Sequence, residues 1–127
     1  MNLQNLFDQC VQNNNGDKVK AARQFIIKAK KEDPSVKMND CMIAAGYDKK
    51  TEQNFRNNVV IPTRNRIGII KFNLSANDMK KLFGRVKDAN LTEDEVNKKK
   101  EILNMLPARS RVTAQEEMNY LDEIINN

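Results

Sequence analysis

Three times in its second half this chain repeats one small pattern: a hydroxyl residue, two others, then an acid, followed by apolar residues at helical spacing. Ser75 stands with Asp78, Thr92 with Glu95, and Thr113 with Glu116. Such a pair satisfies the orphan N–H groups of a helix start reciprocally, the hydroxyl accepting from the third residue's backbone and the acid reaching back. Leu74 with Met79, and Leu91 with Val96, occupy hydrophobic-staple positions around the first two caps. Each run then carries an apolar stripe: Met79, Leu82, Phe83 and Val86; Val96, Ile102, Leu103 and Leu106; Met118, Leu121, Ile124 and Ile125. Pro107 is expected to end the second run. Helices this short do not stand alone in water, so they must pack together or against a partner. The pattern therefore calls for an all-α architecture of small helices sharing a core.

The first half reads the same way with different punctuation. Leu3, Leu6, Phe7, Cys10 and Val11 predict a helix over residues 3–12, closed by Asn13-Asn14-Asn15-Gly16. Asp17 is placed to cap a second helix with the stripe Val19, Ala22, Phe25, Ile26 and Ala29, stopped by Pro34. Asn39 is expected to cap a third, short helix through Ala45, with Met42 and Ile43 inward and Cys41 beside them. Gly46 suits the left-handed position after that helix. Asp48 then begins a fourth helix, its carboxylate accepting from N–H groups two or three residues on, with Thr51, Phe55 and Val59 facing the core. Residues 59–72 admit two readings. One is a small β-hairpin around Thr63-Arg64-Asn65-Arg66; the other, preferred, is a break at Pro62 and a helix capped by Thr63.

Charge divides the chain unevenly. From Asp17 to Phe72 there are 13 Lys/Arg against 6 Asp/Glu, a net of +7; from Asn73 onward the count is 9 against 10, a net of −1. A basic half beside a near-neutral half suggests a polyanion-binding domain over residues 1–72 and a helical region over 73–127 for oligomerisation or partner binding. The segment Asn39 to Val59 forms a helix-turn-helix pattern, in which a first helix braces a second whose outer face meets the DNA major groove. Lys49, Lys50, Gln53, Asn54, Arg56 and Asn57 remain on that outer side or flank it, and Lys37, Arg64 and Arg66 add nearby charge. Lysine and arginine neutralise phosphates, while glutamine, asparagine and arginine pair bidentately with base edges. Glu52 is the one discordant charge on this face.

Composition argues against other classes. The chain has no histidine and only four glycines, and it lacks a GxxxxGK[ST] phosphate loop. Cys10 and Cys41 lie far apart and outside any metal-ligand spacing, so no metal and no cofactor are expected, and no catalytic residues are assigned. No run approaches the ~20 apolar residues of a membrane helix. Met1 to Asn5 lacks the features of a secretory signal. A soluble, intracellular, non-enzymatic protein that is not secreted and has no membrane partner is the expectation.

The stretch MNDCMIAAGYDKKTEQNFRNNVV resembles the N-terminal helix-turn-helix of bacteriophage terminase small subunits. Ala45, Gly46, Tyr47, Asp48, Lys50 and Thr51 occupy the places of that family's Ala-Gly-Tyr, polar cap, charged residue and threonine. AARQFIIKAKKED is similar to the family's first helix, and LSANDMKKLFGRVKDAN to a helix that often follows the domain. The sequence departs from the family at Pro34-Ser35-Val36-Lys37, which is slightly long, and residues 59–72 and the last third do not align. The resemblance implies a homo-oligomeric packaging adaptor that binds double-stranded DNA of the viral genome and recruits the large terminase subunit, in the host cytoplasm. Two other roles fit a chain of this kind: a helix-turn-helix transcriptional regulator, and a virion or host-directed protein using the fold for protein contacts only.

Overall fold

The computed structural model describes residues 1–84 and 90–108, which are helical apart from their connections. The helices are α1 (Leu3–Asn13), α2 (Lys18–Glu32), α3 (Met38–Ala44), α4 (Glu52–Phe55), α5 (Ile61–Phe72), α6 (Ala76–Phe83) and α7 (Glu93–Leu103). A π-helical turn, Arg56–Val60, joins α4 to α5 without a gap, so residues 52–72 form one long helix. The third capping pair, Thr113 with Glu116, the apolar run 118–125 and Val86 lie outside the described residues.

Local chemistry explains most boundaries. The Asn2 side chain accepts from Asn5 N–H at 3.1 Å and starts α1. That helix closes with Gly16 N–H donating to Val11 O and Asn15 N–H to Gln12 O, the paired bonds of a Schellman turn, with Asn15 and Gly16 both at positive φ. Asp17 caps α2 through Lys20 N–H at 3.1 Å. Both capping boxes within the described residues are formed: Ser75 and Asp78 bond reciprocally at 3.1 and 2.8 Å, Thr92 and Glu95 at 3.2 and 3.1 Å. Asn104 ends α7, ahead of Pro107.

α1 and α2 pack as a pair, with Phe7 and Phe25 edge-to-face at 5.5 Å between centroids. α3 packs on both, the π turn lies against α2, and α6 and α7 pack on α5. Phe25, Ile26, Cys10, Cys41, Val59 and Ile102 are fully enclosed. One buried cluster runs from Leu6 to Leu106 and crosses the expected division at residue 72, because the long helix contributes Phe55 and Val59 to one end and Ile67 to the other.

Residues 59–72 do not form the small β-hairpin allowed by their β-branched residues; they are helical, and the described residues contain no strand beyond an isolated parallel bridge between Lys37 and Ala108. Nor does Pro62 break the helix, and Thr63 is not a cap. The Thr63 hydroxyl donates back to Val59 O at 2.6 Å, inside the core. Proline lacks the N–H that would reach the carbonyl four residues earlier, here Asn58. Two adjustments compensate. Ile61 N–H reaches five residues back to Arg56 O, widening the turn. The stranded Asn58 carbonyl accepts from Arg23 Nε of α2 at 2.8 Å.

The wide turn also keeps the buried face continuous. Phe55, Val59, Thr63 and Ile67 are buried and recur every four residues. In a regular α-helix each such step drifts by roughly 40°, or about 120° over three steps. An extra residue in one turn removes roughly 100° of that drift. The stripe therefore faces the core along its whole length.

Two expectations for α3 are corrected. Asn39 is not its cap: the helix starts at Met38 after Lys37, with no side-chain cap, and Met38 N–H donates to Ala108 O at 2.7 Å. A distant segment thus supplies the acceptor that a capping side chain would have provided. Ile43 is exposed, and Cys41, Met42 and Ala45 are buried instead. On so short a helix the contact with α1 and α2 covers one side, and Ile43 is about 200° around the axis from Cys41.

Candidate nucleic-acid interface

The connection from α3 to the long helix is built from two interlocking devices. Gly46, at φ +88°, donates to Ile43 O, and Tyr47 N–H donates to Met42 O, so the helix closes in a Schellman turn. Immediately afterwards the Asp48 carboxylate accepts from Lys50 N–H at 2.9 Å and Thr51 N–H at 3.0 Å. The Thr51 hydroxyl accepts in turn from Asp48 N–H at 2.8 Å. These are the reciprocal bonds of a capping box, but they close the turn ahead of the helix: the helix itself starts at Glu52 with Thr51 as its N-cap and no side-chain cap, so Asp48 does not cap it as expected. Tyr47 is partly buried and tilted onto Phe55, with ring centroids 5.1 Å apart, which ties the turn to the helix that follows.

The expected inner and outer faces separate as the spacing implies. Phe55 and Val59 are buried, and Thr51 is partly so. Lys49, Lys50, Gln53, Asn54, Arg56 and Asn57 are all exposed. Lys49 and Lys50 lie in the turn held by Asp48 and Thr51, and Arg56 and Asn57 lie in the π turn. The Gln53 amide donates to Asn57 Oδ1 at 2.9 Å, one turn along, so two amides that could pair with base edges are already oriented relative to each other. Glu52 is exposed among them.

The outlying residues divide. Arg66 is exposed on α5, and Lys37 is exposed at the start of α3 while its backbone bridges Ala108. Arg64 is not on the outer face of the turn region: its guanidinium lies over the Phe83 ring, 4.3 Å from the centroid, between α5 and α6. α6 packs on α5 beside Arg64, so its guanidinium meets the Phe83 ring instead of joining Arg56 at the turn.

Arg23 is invisible to sequence reasoning and bears directly on this surface, since its bond to Asn58 O holds the turn that carries Arg56 and Asn57. The sequence contains half the signal. Pro62 guarantees an orphaned carbonyl if the helix continues, but nothing identifies a donor 35 residues away.

Burial pushes the Cys41 thiol up to about 12 and raises Cys10 as well, so neither is a ready thiolate. Among the described residues no group of three or more His, Cys, Asp or Glu is placed to hold a metal ion, and no helix is long and apolar enough to cross a membrane. Comparison with protein-family models, curated proteins and solved structures finds no match to this chain.

Proposed function

We propose that this chain is a DNA-binding adaptor of the viral genome-packaging type, similar to a terminase small subunit, which engages double-stranded DNA and recruits a large terminase subunit inside the host cell. One observation carries the reading. Six residues of phosphate- and base-pairing type, Lys49, Lys50, Gln53, Asn54, Arg56 and Asn57, are all exposed on the turn and first turns of a helix whose inner side is anchored by Phe55 and Val59. The surrounding block, Asp17 to Phe72, has a net charge of +7, which favours a polyanion.

In this reading Lys49, Lys50 and Arg56 neutralise phosphates and set the register, and Gln53, Asn54 and Asn57 read base edges. Arg66 and Lys37 are flanking phosphate contacts. Homo-oligomerisation brings several such faces to one duplex.

The test is duplex binding across a salt series. Counterion release makes log K fall with log salt by about 0.9 per neutralised phosphate. Replacing Lys49, Lys50 and Arg56 together by alanine should weaken binding and flatten that slope by roughly 0.9 for each phosphate no longer neutralised, with helical content unchanged by circular dichroism. Affinity untouched by the triple replacement would remove these residues from the interface. Absence of duplex affinity even at low salt would leave protein contacts as the use of the fold. Light scattering on the free protein separates the packaging role, a ring of many subunits, from a regulator, a dimer reading two half-sites about one helical turn apart.

A further inference from the structure

The 15 residues of α2 hold six Lys or Arg and a single acid, Glu32, at the far end. Part of that charge is already engaged inside the fold: Lys30 is buried, and its ammonium donates to Pro34 O at 2.8 Å. Lys20 is different. It is exposed and forms no ion pair among the described residues. The acid nearest to it in sequence, Asp17, is occupied as the helix cap and accepts from Lys20 N–H. Lys20 and Arg23 stand three residues apart and are neighbours on one side of α2.

Arg23 joins that side to the DNA-reading turn. Its Nε donates to Asn58 O at 2.8 Å, and Asn58 directly follows Arg56 and Asn57 in the π turn. A guanidinium carries five N–H donors in one plane, and this bond uses one of them. The side chain is partly exposed, and neither Nη1 nor Nη2 bonds to a described residue. A planar fork held at Nε and open at its two terminal nitrogens is pre-set to take two oxygens of one phosphate.

We propose that Lys20 and Arg23 extend the DNA interface onto α2: Arg23 holds the Asn58 carbonyl with Nε and a backbone phosphate with Nη1 and Nη2, and Lys20 neutralises a second phosphate. The inference rests on the DNA-binding reading above and deepens it. One side chain then grips both the turn that carries Arg56 and Asn57 and the backbone of the bound duplex. Phosphate contact on α2 and base contact on the turn are thereby fixed in a single register.

The test is duplex binding by the full-length chain across a salt series. Lys20→Ala should flatten the dependence of log K on log salt by about 0.9, the value of one phosphate. Arg23→Met should flatten it by a similar amount, but this change also strands the Asn58 carbonyl. Pro62→Ala restores an N–H for that carbonyl, so Arg23→Met is measured again in the Pro62→Ala background, against Pro62→Ala alone. The flattening should persist there. Lys71 supplies the charge-matched control: it is exposed in the last turn of α5, about 20 Å along the long helix from Asn57. Lys71→Ala should leave the slope unchanged. A slope unaffected by Arg23→Met in the Pro62→Ala background would reduce Arg23 to a support of the turn and overturn the proposal. Equal flattening by Lys20→Ala and Lys71→Ala would also overturn it, since the effect would then be diffuse charge and not a contact. A duplex affinity that the Lys49, Lys50 and Arg56 replacement weakens but the α2 variants leave intact sinks this inference alone. Absence of any duplex affinity sinks the DNA-binding reading beneath it as well.

Discussion

The long helix 52–72 and the pair α6–α7 reach the same secondary structure by different routes. α6 and α7 each begin with a capping box closed between residues three apart, and each carries acid in its first turn and lysine in its last. Lys98 pairs with Asp94 one turn away at 3.0 Å, and Lys81 reaches Glu95 of the neighbouring helix, 14 residues on, at 2.8 Å. The long helix starts at Glu52 without a side-chain cap, behind a turn boxed by Asp48 and Thr51, and it persists past Pro62 only because groups elsewhere permit it. Its π turn leans on α2, and its stranded carbonyl takes a donor from Arg23. The starts of α6 and α7 are thus specified by neighbours in sequence, the passage of the long helix through Pro62 by neighbours in space.

Four measurements would test that contrast. The largest expected effect is Phe55→Ala. It empties the core beneath the turn and removes the partner of Tyr47, and should cost about 3–5 kcal/mol in urea unfolding. If the long helix were held by local propensity instead, the cost would be far smaller. Next, Arg23→Met should cost about 1 kcal/mol, the net worth of one hydrogen bond. Combining it with Pro62→Ala should recover part of that loss, because residue 62 regains an N–H for Asn58. Strict additivity in this double-mutant cycle would show that the two residues do not serve the same carbonyl. Ser75→Ala should cost a similar amount, about 0.5–2 kcal/mol, without coupling to either of them.

The smallest effect is a pH dependence. Asp78 is held below the ordinary carboxylate range by the Ser75 N–H and hydroxyl, and Glu95 by Lys81 and then the Thr92 N–H. A carboxylate depressed by folding contributes stability above its unfolded value and loses it as pH falls through the lower, folded value. Acid unfolding should therefore include a component from α6–α7 in and just below the ordinary carboxylate range. Asp78→Asn with Glu95→Gln should flatten it, as measured by thermal melts over pH 2 to 6, a window of about that range.

The same contrast sorts what a linear reading reaches. The capping boxes at Ser75 and Thr92, the Asp17 cap, the bonds from the N–H groups of Lys50 and Thr51 to Asp48, the Gly46 turn and the inward Phe55–Val59 pair are all legible, because each depends on residues within a few positions of one another. The exposure of Gln53, Asn54, Arg56 and Asn57 follows from the same periodicity, while Lys49 and Lys50 lie in the turn ahead of it. Three features are not legible. Apolar spacing puts Ile43 in the core, yet it cannot say which side of a seven-residue helix meets its neighbours, and Ile43 is exposed. Asn39 has a capping side chain at a plausible position, but Ala108 fills that role through Met38, from the far end of the described chain. Arg64 belongs to the basic block by sequence, but only the packing of α6 on α5 places the Phe83 ring under it.

Residue order alone set where most helices start, which faces are apolar and how charge divides between the halves, since caps and periodicity act over one or two turns. Folding in three dimensions settled whether the helix survives Pro62, which cation meets Asn58, and which arginine remains outside. Those outcomes depend on a donor and an acceptor 35 positions apart meeting at 2.8 Å, and only the packing of α2 against the π turn brings them there.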